Sequence, residues 1–161
     1  MSEKEKEKIQ ERDQLKVILD QLKAQGKKSV FTNGCFDLIH RGHIHCLKEA
    51  KNQGDILVVG LNSDSSVRKL KGPPRPILPQ EDRAAVLAAM ACVDYVTIFD
   101  EPDPAKLIEL LKPDVLVKGG DYSKDKIVGA KVVESYGGRV VIVPYLPGAS
   151  STALLEKIKN C

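Results

Sequence analysis

Two histidines, His40 and His43, stand three positions apart at the predicted start of a helix, with Gly42 between them. Residues three apart on a helix share a face, so both side chains can point at one ligand. A helix N-terminus carries unpaired N–H groups and a partial positive charge, and a glycine there lets the backbone approach closely. A single histidine at a helix start is more often a cap or a half-buried surface residue, but this combination predicts the binding of a phosphate.

The residues that precede the histidines strengthen this interpretation. An apolar strand ends at Asn33-Gly34, a pair that suits a turn, and Phe36-Asp37 follows before the helix begins. A glycine-containing turn after a first strand is common in α/β proteins. The whole sequence of strand, Asn-Gly turn and His-x-Gly-His helix start is much more specific.

Three further segments offer groups that could bind a ligand. Arg68, Lys69, Lys71 and Arg75 lie on and beside a Pro/Gly-rich loop, where they form either a phosphate clamp or a solvated basic loop. The prolines make the loop stiff, which favours a shaped site. Adjacent glycines at 119–120 would let a flat ligand lie against the backbone. The hydroxyl run 150–152 predicts a helix cap or a second phosphate-binding helix start, and the two hydroxyls beyond the one needed for a cap favour the ligand.

The elements that position these groups alternate regularly between strands and helices. Apolar runs predict strands at Ser29–Thr32, Asp55–Leu61, Tyr95–Phe99, Val115–Val117 and Arg139–Val143. Helical patterns follow them at Gly42–Gln53, from Asp64, at Gln80–Ala91, Ala105–Leu111 and Asp125–Tyr136, and after the hydroxyl run. We therefore predict an α/β, Rossmann-like fold with a five-stranded parallel sheet and helices on both faces. Every candidate segment follows a strand, at the carboxyl edge where such sheets bind ligands.

The N-terminal region is predicted to be a separate packing element. Residues 1–8 alternate Lys and Glu and are typical of a frayed helix start or a disordered segment. Leu15, Ile18, Leu19 and Leu22 then recur at helical spacing up to Gly26. We expect a helix within residues 1–26 and a single domain over 27–161. The apolar faces of this helix and of the Val86 helix would also suit a homodimer.

Composition excludes several classes of protein. The chain has 161 residues, a net charge of +3, 4% aromatic residues and no Trp, which argues against a nucleic-acid or membrane protein. Its four cysteines, at positions 35, 46, 92 and 161, form no CxxC pair and no zinc-ligand spacing. With no apolar leader or membrane-length run, the expected setting is the reducing cytoplasm.

The stretch Gly34-x-Phe36-Asp37-x-x-His40-x-Gly42-His43 resembles the signature of the cytidylyltransferase-like nucleotidyltransferases. The resemblance extends from about Lys28 to Lys159 and includes the hydroxyl run, which is similar to a late Ser/Thr-rich motif of the family. It implies transfer of a nucleoside monophosphate from an NTP to a phosphorylated small molecule, with release of pyrophosphate. His-x-Gly-His also occurs in class I aminoacyl-tRNA synthetases, but those chains are far longer and carry a Lys-rich loop motif that is not seen here.

Within that family, two blocks resemble the adenylyltransferase half of bacterial heptose kinase/adenylyltransferases. They are the segment 62–76, with Asn62-Ser63-Asp64, Leu70-Lys71-Gly72 and Arg75-Pro76, and the segment 117–122. The resemblance implies adenylyl transfer from ATP, with Mg²⁺, to a heptose 1-phosphate in lipopolysaccharide synthesis. The sugar-kinase domain of those relatives is not seen before this one, so we expect a separate heptose kinase. The glycerol-3-phosphate cytidylyltransferases carry an Arg where Tyr145 stands here, which argues against a cytidylyl donor.

The resemblance also assigns roles to individual residues. Catalytic contacts with the phosphates are implied for His40, His43, Lys71 and Thr152. Nucleotide binding is implied for Asn33, Gly34, Cys35, Phe36, Gly42, His43, Gly119, Gly120, Asp121, Ser150, Ser151 and Thr152. Binding of the sugar phosphate is implied for Asp37, Asn62, Asp64, Arg68, Lys71 and Arg75. No residue is assigned as a direct metal ligand, although Asp37 could reach Mg²⁺ through water or could equally brace its loop.

Two alternatives stay open from the sequence. The same chemistry could act on other substrates, as in a glycerol-3-phosphate cytidylyltransferase or an enzyme similar to FAD synthetase. A different class would be a non-catalytic nucleotide-binding or signalling domain. Receiver-type signalling domains need an acidic cluster after the first strand, whereas this chain has Asn33-Gly34 there.

Overall fold

The computed structural model describes residues 1–144, 146, 148 and 151–159. In this part of the chain five parallel strands form one sheet, in the order β3-β2-β1-β4-β5. The strands are β1 (Ser29–Gly34), β2 (Ile56–Asn62), β3 (Tyr95–Phe99), β4 (Val115–Gly119) and β5 (Arg139–Val143). The helices are α1 (Glu3–Lys6), α2 (Arg12–Ala24), α3 (Arg41–Lys51), α4 (Asp64–Lys71), α5 (Gln80–Ala89), α6 (Ala105–Leu111), α7 (Ala130–Ser135) and α8 (Ser151–Lys159), with a 3₁₀ turn at Lys124–Lys126. The predicted Rossmann-like α/β fold is confirmed.

The sheet is buried on both faces because side chains along each strand alternate between two apolar layers. On one face, Leu57 and Val59 of β2 pack in a core that includes residues of α3 and α5. On the other face, Val58 packs in a core shared with α2, α6 and α7. The near-continuous apolar run of β2 is therefore the pattern of a strand covered on both sides.

The chain reverses its direction of travel across the sheet between β1 and β4. It passes from β1 outward to β2 and β3, then returns to place β4 on the other side of β1. The loops that leave β1 and β4 therefore diverge, and open α/β sheets form a crevice at this point, beyond the carboxyl ends of the strands. This is the position where open α/β sheets bind ligands.

The helix predicted for Asp125–Tyr136 is wrong in its extent, because the segment is divided between the 3₁₀ turn and α7. Gly129 separates the two with a φ of +86°, a conformation that other residues rarely adopt. A Cβ built at Gly129 would lie 2.4 Å from Cδ1 of Ile108 on α6. Close packing against α6 and the left-handed backbone together end the helical pattern there.

The first residues are part of the fold. Ser2 caps α1, with its hydroxyl accepting from the N–H of Glu5. Ile9 then forms a parallel bridge to Val96 on the outer side of β3. The alternating Lys/Glu pattern gave no sign of this contact, because it depends on residues nearly ninety positions away.

Two other predictions concern surfaces. Within the described residues, no helix is long and apolar enough to cross a membrane. Val17 of α2 and Val86 of α5 are 51% and 41% exposed. Both apolar faces are thus open in the single chain, and the homodimer stays a prediction.

Candidate active site

The loop between β1 and α3 carries the sequence signature and folds back on itself. Phe36 adopts a positive φ of +45°, which is rare for a residue with a side chain, and its ring is buried. The ring lies beside that of His43, with centroids 5.2 Å apart. A Cβ at Gly34 would lie 3.1 Å from the Phe36 ring, so a glycine there leaves room for this packing. The strained loop and the helix start thus form one packed unit.

His40 is the residue that caps α3. Its Nδ1 accepts a hydrogen bond from the backbone N–H of Gly42 at 3.1 Å. A neutral imidazole that accepts through Nδ1 carries its proton on Nε2. His40 is thereby oriented to donate a hydrogen bond from Nε2 while it also satisfies the start of the helix.

His43 stacks against His40, with ring centroids 3.9 Å apart and an interplanar angle of 27°. Burial, together with smaller effects of the charges of His40 and Lys71, lowers the pKa of His43 to about 4. Burial also lowers the pKa of His40. Both rings are therefore neutral at pH 7, and they can supply hydrogen-bond donors without supplying a full positive charge.

Positive charge reaches the site from the segment after β2. Arg68 and Lys71 are exposed on the last turn of α4, and Lys71 is close enough for its charge to act on His43. The structure therefore brings Lys71 towards the histidine pair, as the clamp interpretation requires. Arg68 and Lys69 are solvated on the same helix end.

Asp37 braces two loops against each other. Its carboxylate is buried and accepts hydrogen bonds from the N–H groups of Ile77 at 2.8 Å and Leu78 at 3.1 Å. It also forms an ion pair with Nε of Arg75 at 2.5 Å. Nη2 of Arg75 is buried and has no hydrogen-bond partner among the described residues. Asp37 thus holds Arg75 in place, and the unpartnered nitrogen is a group that an anion could satisfy.

A buried arginine that the sequence analysis did not single out joins the same loops. Arg83 of α5 is 1% exposed. Its Nη1 donates to the carbonyls of Cys35 at 2.6 Å and Asn62 at 2.8 Å. Its Nε donates to Leu78 O at 3.0 Å, and its Nη2 pairs with Asp64 at 2.7 Å. One guanidinium therefore connects the signature loop, the end of β2, the start of α4 and the segment before α5.

Two residues predicted to bind the sugar phosphate, Asn62 and Asp64, already have hydrogen-bond partners within the protein. Asp64 accepts from Arg83, and Asn62 donates from Nδ2 to Ser66 Oγ at 3.0 Å. In this structure both side chains position the site through protein contacts. A signal for Arg83 was present in the sequence, since it lies four residues before the buried Leu87 and so shares its helix face.

The end of β4 forms the other wall of the crevice. A Cβ at Gly119 would lie 2.8 Å from Sγ of Cys46 on α3, so this glycine allows β4 and α3 to pack closely. Gly120 has a φ of +133° and donates its N–H to Val143 O at 2.9 Å. Asp121 is exposed beyond it. The contact of Gly119, Gly120 and Asp121 with a nucleotide is compatible with this packing and stays a prediction.

The start of α8 meets the signature loop. Ser151, the first residue of α8, donates from Oγ to the carbonyl of Leu38 at 3.2 Å. The late hydroxyl motif and the His-x-Gly-His motif, 113 positions apart at this contact, are thus brought together. Ser150 and Tyr145 lie outside the described residues, as does the side chain of Thr152.

Comparison with known proteins gives a consistent result. A family model described as Cytidylyltransferase-like matches residues 31–157. The chain is 58% identical over 151 residues to the bifunctional protein HldE of Geobacter metallireducens, and 57% identical to that of Geobacter sulfurreducens. These matches cover 94% of this chain but only 31% of each relative's length.

Two solved structures are similar in fold. A lipopolysaccharide core biosynthesis protein from Thermoplasma volcanium shares 35% identity, with a TM-score of 0.61, over 75% of this chain and 98% of that chain. A pantoate-beta-alanine ligase from Francisella tularensis has a TM-score of 0.63 over 94% of this chain and 76% of its own. The second shares 17% identity, so it supports the fold alone.

Proposed function

The chain belongs to the cytidylyltransferase-like family and is a nucleotidyltransferase, and from that premise we propose that it transfers the adenylyl group of ATP to D-glycero-β-D-manno-heptose 1-phosphate. The products would be ADP-heptose and pyrophosphate, for use in the lipopolysaccharide core. The choice of ATP and of this sugar phosphate is our inference.

The observation that carries the proposal is the meeting of two helix N-termini at one end of the sheet. The start of α3 presents the stacked pair His40 and His43, and Ser151 at the start of α8 is hydrogen bonded to the loop before them. The partial positive charge at a helix start attracts phosphates, and two helix starts beside a cationic helix end suit a triphosphate. The match to HldE, a bifunctional heptose kinase/adenylyltransferase, supports the heptose acceptor.

The proposed reaction is a single in-line displacement. An oxygen of the sugar phosphate attacks the α-phosphorus of ATP and forms the new P–O bond. The bond from the α-phosphorus to the bridging oxygen of the β-phosphate breaks, and pyrophosphate leaves with that electron pair. The attacking oxygen is already anionic at neutral pH, so the protein need not remove a proton. Its task is to align two polyanions and to stabilise the charge that develops between them.

The neutral histidines would donate hydrogen bonds to the phosphates, and the cations would supply positive charge. His40 donates from Nε2, because Nδ1 is engaged by Gly42, and His43 lies directly against it. Neutral donors bind phosphate oxygens without the need to hold a buried positive charge when the site is empty. Lys71 and the free nitrogen of Arg75 would supply charge to the sugar phosphate or to the leaving pyrophosphate.

Mg²⁺ would enter as the complex with ATP and would be held mainly by phosphate oxygens, since this ion keeps few protein ligands. The carboxylate of Asp37 does not fit a direct metal site, because it already accepts hydrogen bonds from two backbone N–H groups and pairs with Arg75. In the described part of the chain, no group of three or more His, Cys, Asp or Glu side chains could hold a metal ion.

Pyrophosphate release with purified protein, Mg²⁺, ATP and D-glycero-β-D-manno-heptose 1-phosphate tests the proposal. The matched control contains CTP and glycerol 3-phosphate, the pair used by another branch of the family. We expect release only in the first mixture. Release only in the second would show that the assigned nucleotide and the assigned acceptor are both wrong. The reaction class would stay the same.

A crossed pair of mixtures separates the two parts of the substrate assignment. ATP with glycerol 3-phosphate tests the acceptor alone, and CTP with the heptose phosphate tests the nucleotide alone. Activity in either crossed mixture at the level of the first would show that the corresponding part of the assignment is wrong.

A further inference from the structure

Lys118 is a charged residue at the carboxyl end of β4 to which the predicted site gives no role. It is the next-to-last residue of β4, and it lies where the sheet reverses, beside the end of β1. The side chain is half-buried. A lysine is rarely buried at the end of a parallel strand unless its ammonium group has a partner.

The protein provides very little for this ammonium group to bind. Its one hydrogen bond to the described part of the chain is from Nζ to Asn33 Oδ1, at 3.4 Å. That distance is at the outer limit for a hydrogen bond. None of the ion pairs among the described residues includes Lys118. An ammonium group has three donors, so most of its capacity is unused.

The groups that act on Nζ belong to the signature loop and to α3. The charge states of Cys35, in the signature loop, and of Cys46, on α3, both act on Lys118. Cys46 lies three residues after His43 and therefore on the same side of α3. Burial lowers the pKa of Lys118, which is the expected effect on a cation that lacks a counter-charge.

We propose that Lys118 binds the α-phosphate of the bound nucleotide, between the nucleoside at Gly119-Gly120 and the other phosphates at the start of α3. The assignment rests on the proposed function for the identity of the nucleotide. The α-phosphate is the phosphate nearest the nucleoside, and Lys118 precedes Gly119 in β4 while its Nζ reaches Asn33, just before the signature loop. It is also the group under attack, so Lys118 would stabilise charge on the reacting phosphorus.

Lys118→Met tests this role because methionine keeps the length of the side chain and removes its charge. We expect the affinities for AMP and for ATP to fall on the order of 10- to 100-fold, as for the loss of a charged hydrogen bond. Affinity for adenosine should be unchanged. Ligand-observed NMR titration measures all three, including weak binding. Lys27→Met is the matched control, since Lys27 is exposed at the opposite edge of the sheet.

A thermal melt separates binding from a purely structural role. Removal of a buried, unneutralised ammonium should leave the melting temperature of the unliganded variant at or above that of the native chain. Lys118→Arg, which keeps the charge, should recover part of the AMP affinity. Equal loss of adenosine and AMP binding, or a clear drop in melting temperature, would show that Lys118 is structural.

The remaining outcomes are also decisive. Loss of ATP affinity with AMP affinity unchanged would overturn the assignment to the α-phosphate. Unchanged affinity for both would overturn the proposal as a whole. If the native chain binds ATP but transfers nothing to the heptose phosphate, the proposed function fails, and the titrations still decide the role of Lys118.

Discussion

At the scale of single residues, the protonation state of the two stacked histidines determines what they can do. Because burial keeps His43 neutral, its contribution to a reaction is an oriented hydrogen bond. Loss of one such donor typically lowers the rate on the order of 10²- to 10³-fold. We therefore expect His43→Ala to keep the fold and to lose most of its kcat in the pyrophosphate assay.

His45→Ala is the matched control for that variant. His45 lies on the same helix, two residues on and so roughly on the opposite side, at about 100° per residue. Its removal should leave kcat within about twofold of the native value. Near-native kcat in His43→Ala, with both variants folded by circular dichroism, would contradict the role of His43.

The same residue predicts a pH dependence of stability. In the folded chain the pKa of His43 is about 4, against an ordinary value of 6.5, so between these values the unfolded chain binds more protons. The free energy of unfolding should therefore rise as the pH increases from about 5 to 7. Allowing for partial exposure to solvent, we expect a change on the order of 1–2 kcal/mol.

Urea unfolding of the native chain and of His43→Gln at pH 5 and pH 7 measures this contribution. The carboxylates titrate mostly below this window, so the difference between the two proteins reports chiefly on His43. The pH dependence should be smaller in the variant. An equal dependence in both would show that His43 is not the titrating group.

At the scale of secondary-structure elements, Arg83 holds the site together. Its guanidinium connects the end of β2, the signature loop and the start of α4 through four hydrogen bonds. In Arg83→Met, three carbonyls and the carboxylate of Asp64 lose their partner. Breaking a buried network of this kind typically costs about 3–5 kcal/mol. We expect urea unfolding to show a loss of that order.

Arg139→Met provides the comparison for Arg83. Arg139 is exposed, and among the described residues its side chain donates one hydrogen bond, to Gln53 O at 3.0 Å. Its replacement should change the free energy of unfolding by less than about 1 kcal/mol. If the two variants unfold alike, the buried network does not hold the elements in place.

The elements show how far the sequence could predict the site. Apolar runs and their spacing predicted the strands, the carboxyl-edge loops and a helix start at about Gly42, since each of these is a local pattern. The bracing contacts were not predictable in this way. Asp37 meets Ile77, and Arg83 meets Cys35, across 40 and 48 positions respectively. Such contacts depend on how the elements pack, which no local pattern records.

The roles of charged residues depend on the same long-range packing. Arg75 looked like one of four equivalent cations, but burial and Asp37 set it apart from the exposed Arg68 and Lys69. In the sequence, Lys118 stands between the predicted strand Val115–Val117 and two glycines. Its burial and long contact with Asn33 only become visible once β4 lies beside β1.

At the scale of the whole molecule, the candidate site and the outer strand β3 lie at different parts of the sheet. Reversal of the chain between β1 and β4 leaves a crevice at the carboxyl ends, and it places β3 and β5 at the two sides of the sheet. A side strand presents unpaired backbone groups that can pair with another chain. On β3 the N-terminal segment covers these groups: Gln10 N–H donates to Val96 O at 2.9 Å, and Val96 N–H donates to Lys8 O at 2.8 Å.

This cover is also joined to the neighbouring helix. Nζ of Lys8 donates to the carbonyls of Met90 at 3.2 Å and Val93 at 2.8 Å, just beyond α5. Ile9 packs against the core cluster on that face of the sheet. The first ten residues therefore complete the sheet and fix the end of α5, although they lie far from the crevice.

Gln10→Pro tests whether this cover stabilises the sheet and keeps β3 from pairing with other chains. Proline removes the N–H that donates to Val96, whereas Gln10→Ala keeps it and serves as the control. We expect Gln10→Pro to lower the free energy of unfolding by about 1–2 kcal/mol and to increase self-association in light scattering. Because β3 lies two strands from β1, which leads to the histidine pair, the kcat of the protein that has not self-associated further should be unchanged. Equal behaviour of the two variants would show that the bridge to Val96 is incidental to the stability of the sheet.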